Sequence, residues 1–143
     1  MKLISHRGNI KGSKPKYEND PNYVSQALKL GFEVEVDVRY HKGYFYLGHD
    51  KPQFRVCKEF LKNKKIWCHA KDIAAFEKLK KIKTIHFWHQ KDDYTLTSNG
   101  YFWTYPGKKI SKNSIYVLIG KKKLKNIKCA GICSDYISNY KND

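Results

Sequence analysis

Residues 33–50, EVEVDVRYHKGYFYLGHD, decide the fold of this chain. Acidic residues alternate with valines in the first half of the stretch. Side chains alternate between the two faces of a strand, so Glu33, Glu35 and Asp37 should share one face and the valines the other. The sequence therefore predicts a strand that carries a row of carboxylates on one side and an apolar surface on the other.

The second half of the stretch predicts an antiparallel hairpin. Lys42 and Gly43 are typical of a tight turn, and the connection is far too short for a helical crossover between parallel strands. Pairing about this turn should bring residues whose numbers sum to about 85 opposite each other. The predicted register returns His49 to the side of Glu35.

Patterns on both sides of the hairpin predict an α/β fold. Short β-rich runs recur from KLISHRG to CAGICSD, and helical patterns stand between some of them. The clearest are NYVSQALKLG at 22–31, which ends in glycine, and DIAAFEKLKKI at 72–82, which Asp72 could cap. No linker or repeat divides the chain. We expect a single domain over residues 1–143 with a mainly parallel sheet.

The composition excludes disordered and fibrous proteins and leaves two interpretations of the charge. Hydrophobic residues make up 41% and aromatic residues 15% of the chain, and its formal net charge is +16. This charge favours an anionic partner such as nucleic acid, anionic lipid or a phosphorylated small molecule. Alternatively, it is a solvated surface, since nearly all the basic residues are lysines, as an AT-rich coding sequence tends to yield.

The sequence predicts a cytoplasmic protein. No apolar stretch is long enough to cross a bilayer, and the first residues, MKLISHRGN, do not form a secretory signal. The cysteines lack CxxC spacing and are expected to be reduced thiols that mostly fill the core: Cys57, Cys68, Cys129 and Cys133.

The two carboxylates at Glu35 and Asp37 need a partner if their face is buried. They repel each other and are costly to bury unless a cation lies between them. A divalent ion with oxygen ligands would meet this need, whereas an exposed face would let the acids meet lysines instead. The ISHRG and GHD segments favour the metal, because they supply two histidines and an arginine where strand ends converge.

These elements resemble the glycerophosphodiester phosphodiesterase family, within the phosphatidylinositol-specific phospholipase C-like superfamily. The family pattern is His-Arg-Gly, Glu-Asn, a helix ending in glycine, Glu-x-Asp, and a glycine turn leading to His-Asp. All of these occur in order within the first 50 residues. AGICSDYI is similar to the family's closing strand, and KIWCHAK stands in the place of its third-strand Glu-x-Lys. Residues 85–125 have only a vague resemblance.

The resemblance implies the roles of individual residues. It implies that His6 and His49 are an acid/base pair and that Arg7 and Lys71 are phosphate ligands. It implies that Glu35 and Asp37 are metal ligands, with Glu18 and Asp135 as two supporting carboxylates. For Glu18, pairing with Arg7 is the alternative to a metal contact. For Asp135, a purely structural role is the alternative to closing the site through Lys71 or an arginine.

Two departures from the family pattern change these expectations. His69 stands where the family has a third metal-binding glutamate; it either joins the metal shell or only hydrogen-bonds a neighbouring strand. The chain is also shorter than the roughly 200 residues of a (β/α)₈ barrel. The resemblance therefore implies a pared-down TIM-type (β/α) barrel, with helices replaced by loops and a hairpin after its second strand. The expected metal is Mg²⁺ or Ca²⁺, with Mn²⁺ or Zn²⁺ as alternatives because His69 offers nitrogen.

The sequence thus predicts a metal-dependent phosphoric diester hydrolase that acts on a glycerophosphodiester or a related phospholipid-derived phosphodiester. Its partners would be that small-molecule substrate and, as a candidate, an anionic membrane surface. Two alternatives stay open: a catalytically weak phosphate- or phospholipid-binding module, and a basic nucleic-acid-binding protein. No sequence motif for specific nucleic-acid recognition supports the last of these, but a continuous basic groove lined by aromatics would favour it.

Overall fold

The computed structural model describes residues 1–121 and 123–141. Ten strands follow one another in chain order: β1 Lys2–His6, β2 Glu33–His41, β3 Tyr44–Leu47, β4 Phe54–Val56, β5 Ile66–Ala70, β6 Ile85–Trp88, β7 Tyr94–Leu96, β8 Phe102–Thr104, β9 Ser114–Leu118 and β10 Gly131–Ser134. The described residues also contain three short α-helices, α1 Pro21–Lys29, α2 Lys58–Leu61 and α3 Ile73–Lys81, and a 3₁₀ turn, Ile137–Tyr140.

The strands form one curled, mixed sheet with the shape of a half-barrel. Its main path runs β4-β3-β2-β1-β10-β9-β8-β7, and β5 branches from β2 to carry β6. The pairs β3–β2, β4–β3 and β7–β8 are antiparallel, whereas the others are parallel. Curling brings the β6 edge near β7, where the Ser98 N–H donates to the His86 carbonyl at 2.9 Å.

Strand β2 organises this sheet because three other strands pair with it. Its first half pairs with β1 and its second half with β3 along one edge, while β5 occupies the other edge. The predicted hairpin is confirmed, with Val38 opposite Leu47 and His41 opposite Tyr44. Lys42 and Gly43 both adopt positive φ, of 47° and 86°, as a tight type I′ turn requires.

The alternation in β2 separates two regions of packing. Val34, Val36 and Val38 are fully buried on the outer face against side chains of α1 and α3. Each such burial stabilises the fold by roughly 1.5–3 kcal/mol. The inner face lies towards a separate cluster that includes Trp67 and Phe87. The acidic residues of β2 are therefore directed into the concave side of the sheet.

Both predicted helices are confirmed. The Asp20 side chain caps α1 by accepting from the Asn22 N–H at 2.7 Å, and Asp72 caps α3 by accepting from the Ala75 N–H at 2.7 Å. These caps satisfy amide groups that have no partner within the helix.

The prediction of an α/β TIM-type (β/α) barrel is wrong. The structure is predominantly sheet, with few and short helices. After β6 the chain forms the antiparallel β7–β8 hairpin instead of a helix and a parallel strand. Glycines interrupt the later connections: Gly100 and Gly107 have φ of +88° and +79°, and the described residues between β9 and β10 form bends and irregular segments. Such segments lack the apolar periodicity that a covering helix needs.

Among residues 1–121 and 123–141, no helix combines the length and apolar character needed to cross a membrane.

The glycines of the hairpin region give a test of how the loop after β3 is held. Gly48 has φ +153°, and a Cβ there would lie 2.1 Å from the Lys51 carbonyl oxygen, whereas a Cβ at Gly43 would meet nothing within 4 Å. Both substitutions strain the backbone, by about 1–2 kcal/mol each for an L residue at positive φ. Gly48→Ala should therefore lower the free energy of unfolding in urea clearly more than its matched control, Gly43→Ala. Equal losses would contradict the tight packing of this loop.

Candidate active site

The candidate site lies where the C-terminal ends of β1 and β5 flank the middle of β2. The register places His6 of β1 beside Glu35 of β2, and Asp37 of β2 beside His69 of β5. Parallel neighbours in register present their side chains on the same face. Residues far apart in the sequence are thus brought to the concave side of the sheet.

Asp37 is completely buried and strongly held at one of its two oxygens. Its Oδ2 accepts a hydrogen bond from Asn19 Nδ2 at 2.9 Å. The guanidinium Nε of Arg7 lies 2.8 Å from the same oxygen, as an ion pair whose direction does not make a hydrogen bond. The Asp37 backbone N–H donates back to Asn19 Oδ1 at 2.9 Å. This double contact fixes the carboxylate and turns Oδ1 away from Arg7.

The remaining oxygen of Asp37 belongs to a cluster with Glu35 and His69. Asp37 Oδ1 and Glu35 Oε2 are buried and have no hydrogen-bond partner. His69 Nδ1 lies 3.4 Å from Glu35 Oε1 and 3.5 Å from Asp37 Oδ1. One ligand atom from each of the three residues lies within 4.8 Å of the others. Buried polar atoms normally have a partner, so these two oxygens are suited to bind a cation.

The tautomer of His69 favours the same interpretation. Its Nε2 lies 2.8 Å from the His89 carbonyl oxygen, which can only accept, so Nε2 carries a proton. In the neutral ring Nδ1 then has a lone pair, and that lone pair faces two carboxylates. Either the ring is an imidazolium or a cation lies among the three groups. A metal-binding histidine commonly donates its second N–H to a carbonyl in this way.

Glu35 stays ionised despite its burial. Burial alone would raise the pKa of Glu35, but while the rings of His6 and His69 are protonated, the hydrogen bond from His69 and the positive charges of His6, His69 and Arg7 together lower it to about 2. A divalent cation in place of the His69 proton would favour the carboxylate in the same way. A carboxylate that keeps its charge away from water is suited to bind a cation.

A second network holds His6. Its Nδ1 lies 2.7 Å from Asp135 Oδ1 and its Nε2 lies 3.9 Å from Glu35 Oε2. Asn9 Nδ2 donates to the same Asp135 oxygen at 2.8 Å. Burial disfavours the charged ring, but the hydrogen bond with Asp135 and the charge of Glu35 outweigh it and raise the pKa of His6.

The two cationic residues that the resemblance implies as phosphate ligands both lie at Asp37. Arg7 also donates from Nη1 to Glu18 Oε2 at 3.1 Å, and Lys71 Nζ lies 3.8 Å from Asp37 Oδ1. Glu18 therefore pairs with Arg7 and is not part of the cation cluster. Asp135 contacts His6 and Asn9, and no contact joins it to Lys71 or an arginine among the described residues.

His49 does not lie opposite Glu35 as the hairpin register predicted. The pairing of β3 with β2 ends at Leu47, and beyond it strand β1 occupies that edge of β2, opposite Glu35. His49 and His6 instead line one polar cavity of about 510 Å³, together with Arg7, Glu18 and Asp135. The His49 side chain is 43% exposed, and its Nδ1 lies 2.7 Å from Asp50 Oδ1.

Sequence reasoning missed three residues that position this site. Asn9 and Asn19 are buried and hold Asp135 and Asp37, and the guanidinium of Arg39 donates to the carbonyls of Gly48 and His49. Asn9 directly follows the His-Arg-Gly element and Asn19 is the asparagine of the Glu-Asn element, which was the available indication. Nothing in the sequence indicated Arg39, because its partners are backbone groups.

The donor set of the cluster fits a divalent cation. Glu35 and Asp37 offer carboxylate oxygens and His69 offers an imidazole nitrogen, a combination that Mn²⁺ and Zn²⁺ accept and that is less suited to Mg²⁺ or Ca²⁺ than three carboxylates would be. Comparisons of the chain with protein-family models, curated proteins and solved structures gave no match. The argument for function therefore depends on the sequence pattern and on this geometry.

The cluster predicts a specific pattern of metal binding. Asp37→Asn should weaken binding by about 100-fold or more, since it removes a ligand charge and not merely an outer-shell partner. His69→Glu should tighten Mg²⁺ and Ca²⁺ binding, whereas the unaltered protein should favour Mn²⁺ or Zn²⁺, because hard cations prefer carboxylate oxygen.

Isothermal titration calorimetry with each metal ion measures these affinities. His86→Ala, which alters a histidine outside the cluster, is the matched control and should bind like the unaltered protein. An unchanged affinity and preference in His69→Glu would remove His69 from the metal shell.

Proposed function

We propose that the chain is a metal-dependent phosphodiesterase that cleaves a glycerophosphodiester or a related phospholipid-derived phosphodiester. One observation carries the proposal: the cation cluster of Glu35, Asp37 and His69 lies in contact with His6 and Arg7, which line the same cavity as His49. The order of these residues in the sequence, which resembles the phosphodiesterase family, gives the substrate class.

Positive charge for the phosphate would come from protein and metal together. A divalent ion bound by Glu35, Asp37 and His69 would polarise a nonbridging oxygen and stabilise the charge that develops during cleavage. Arg7 is 19% exposed and oriented by Glu18, so its guanidinium can contact a phosphate from the cavity side. Lys71, at 18% exposure, would add a second cationic contact.

The two histidines differ in the proton each is suited to handle. Cleavage of a phosphodiester requires an oxygen to attack phosphorus with loss of its proton, and the departing alkoxide to gain one when the P–O bond breaks. His6 has a raised pKa and holds its proton through Asp135 and Glu35, which suits it to protonate the leaving oxygen. His49, whose Nδ1 faces Asp50, keeps Nε2 available to accept the proton of the attacking hydroxyl.

The cavity favours a small polar substrate. Its volume is about 510 Å³, and charged or polar side chains form most of its wall, with Pro15 and Ile119 as the apolar exceptions among the lining residues. A deacylated phosphodiester fits this chemistry better than a lipid with acyl chains. The free cysteines of the described chain are in keeping with a cytoplasmic location for the reaction.

A chromogenic phosphodiester such as bis(p-nitrophenyl) phosphate, assayed with Mn²⁺ or Mg²⁺, tests the proposal. We expect turnover that a chelator abolishes and that Asp37→Ala does not recover at ordinary metal concentration. His6→Ala and His49→Ala should each lower turnover by roughly 10² to 10⁴, the usual contribution of a positioned acid or base.

His41→Ala is the control, because His41 is an exposed histidine at the hairpin turn. Full activity in chelator would overturn the metal mechanism. A loss below about tenfold in both His6→Ala and His49→Ala would remove them from the chemistry. Metal and phosphate binding without turnover would identify the alternative, a phosphate-binding module.

Asp135→Asn tests how His6 works. The substitution preserves the acceptor for His6 and Asn9 but removes a negative charge that raises the pKa of His6. If protonated His6 is the acid, activity falls as the pH rises through its pKa. Lowering that pKa should then move the alkaline limb of the kcat/KM profile to lower pH. Asp93→Asn, at an exposed pair with Lys108, should leave the limb in place; an unmoved limb in Asp135→Asn would contradict the role.

A further inference from the structure

A second and larger concavity lies on the outer side of the sheet. It has a volume of about 850 Å³ and is formed by the β2–β3 hairpin, β4 and the helices α2 and α3. Tyr40 follows the outward-facing valines of β2, so the concavity lies on the opposite face of the strand from Asp37. It shares no lining residue with the cavity that contains His6 and His49.

This concavity continues into a neighbouring depression and becomes a groove. The depression, of about 580 Å³, shares Lys58, Lys81 and Ile82 with it. We define the hairpin groove as the two together. An elongated groove suits a chain-like ligand better than a compact small molecule.

The walls of the hairpin groove are strongly basic. Glu59 is the one acidic residue among the described residues that line it, and the cationic ones are Arg55, Lys58, Lys62, Lys78, Lys81 and Lys83. Six cations thus line one groove. A groove of this charge attracts a polyanion and concentrates it near the surface.

Aromatic residues, among them Tyr40 and Tyr44, line the groove beside these cations. The Arg55 guanidinium carbon lies 3.4 Å from the centre of the Tyr44 ring, which is 46% exposed, and Lys78 Nζ lies 5.2 Å from the centre of Tyr40. The register places Arg55 and Tyr44 on the opposite face of the hairpin from Tyr40, so together they present a flat, cationic surface at the edge of the groove. Flat aromatic and guanidinium groups among phosphate-binding cations are the features on which unpaired nucleobases stack.

We infer that the hairpin groove binds single-stranded nucleic acid without sequence preference. Lysines along the walls would contact successive phosphates, and Tyr44 with Arg55 would stack a base. A duplex hides its base faces and would leave this platform unused. A lipid surface offers no flat base to stack on Arg55 and Tyr44, so it too would leave this platform unused. The inference is independent of the proposed phosphodiesterase activity.

Fluorescence anisotropy of a labelled oligothymidylate of about twelve nucleotides tests the inference, since single-strand sites span about 4–16 nucleotides. Contact with about four phosphates should give a slope near −3 for log affinity against log salt. Tyr44→Ala should weaken binding about tenfold and Tyr44→Phe should retain it, because stacking needs the ring and not the hydroxyl.

Charge variants supply a second measurement if Tyr44→Ala fails to fold. The double variant Lys58→Ala/Lys81→Ala should weaken binding and reduce the salt slope by about 1.4, since each phosphate contact contributes about 0.7. Lys11→Ala/Lys112→Ala removes the same charge from exposed lysines outside the groove and should bind normally. His49→Ala should also bind normally, which separates the groove from the catalytic cavity.

Three results would overturn the inference. The first is equal weakening by the groove and control double variants, which would mean that net charge alone attracts the oligonucleotide. The second is binding lost in His49→Ala, which would place the oligonucleotide in the catalytic cavity. The third is no oligonucleotide binding while phosphatidylserine vesicles bind and lose binding in Lys58→Ala/Lys81→Ala, which would make the groove a membrane contact.

Discussion

The burial of two carboxylates side by side on one strand is the constraint on which the rest of the structure depends. Glu35 and Asp37 are almost inaccessible to water, and each buried charge costs several kcal/mol unless it is paired. Partners must therefore come from elsewhere in the chain. The β1 end supplies Arg7, the following loop supplies Asn19, and β5 supplies His69. The parallel pairing of β1, β2 and β5 is what brings these groups within reach.

These partners satisfy the oxygens of the two carboxylates unequally, and this difference decides which oxygens can bind a ligand. One oxygen of Asp37 is bound by Asn19 and Arg7, while the other, with Glu35 Oε2, has no hydrogen bond. A fully satisfied pair would be a structural ion-pair network and nothing more. The geometry thus separates groups that hold the fold from groups that remain available for a ligand. Functional sites are where proteins retain groups that lower stability, such as buried oxygens without a hydrogen bond.

The sequence predicted the parts of the fold that local patterns determine. The alternation of valines and acidic residues predicted the two faces of β2. Lys42-Gly43 predicted the hairpin register, and Asp72 predicted the start of α3. Strands β4 and β7 have three residues each, too few to show a period, and were missed. The barrel prediction was wrong because it came from a resemblance confined mainly to the first 50 residues, while the later connections have no helical periodicity. His49 was misplaced because competition between β1 and β3 for one edge of β2 is a tertiary effect.

Strand β2 also explains how one small chain can carry two chemically distinct surfaces. Alternation sends Glu35 and Asp37 inward, whereas the outward set runs from Val34 to Tyr40. On the inner face Asp37 and Glu35 meet Arg7, which follows β1, and His69 of β5, whereas α2 and α3 supply lysines to the outer face. The two faces take their cations from different elements. The lysines that line the outer groove are therefore not partners of Asp37. The lysines of the outer groove thus line a different cavity from the one that His6 and His49 line.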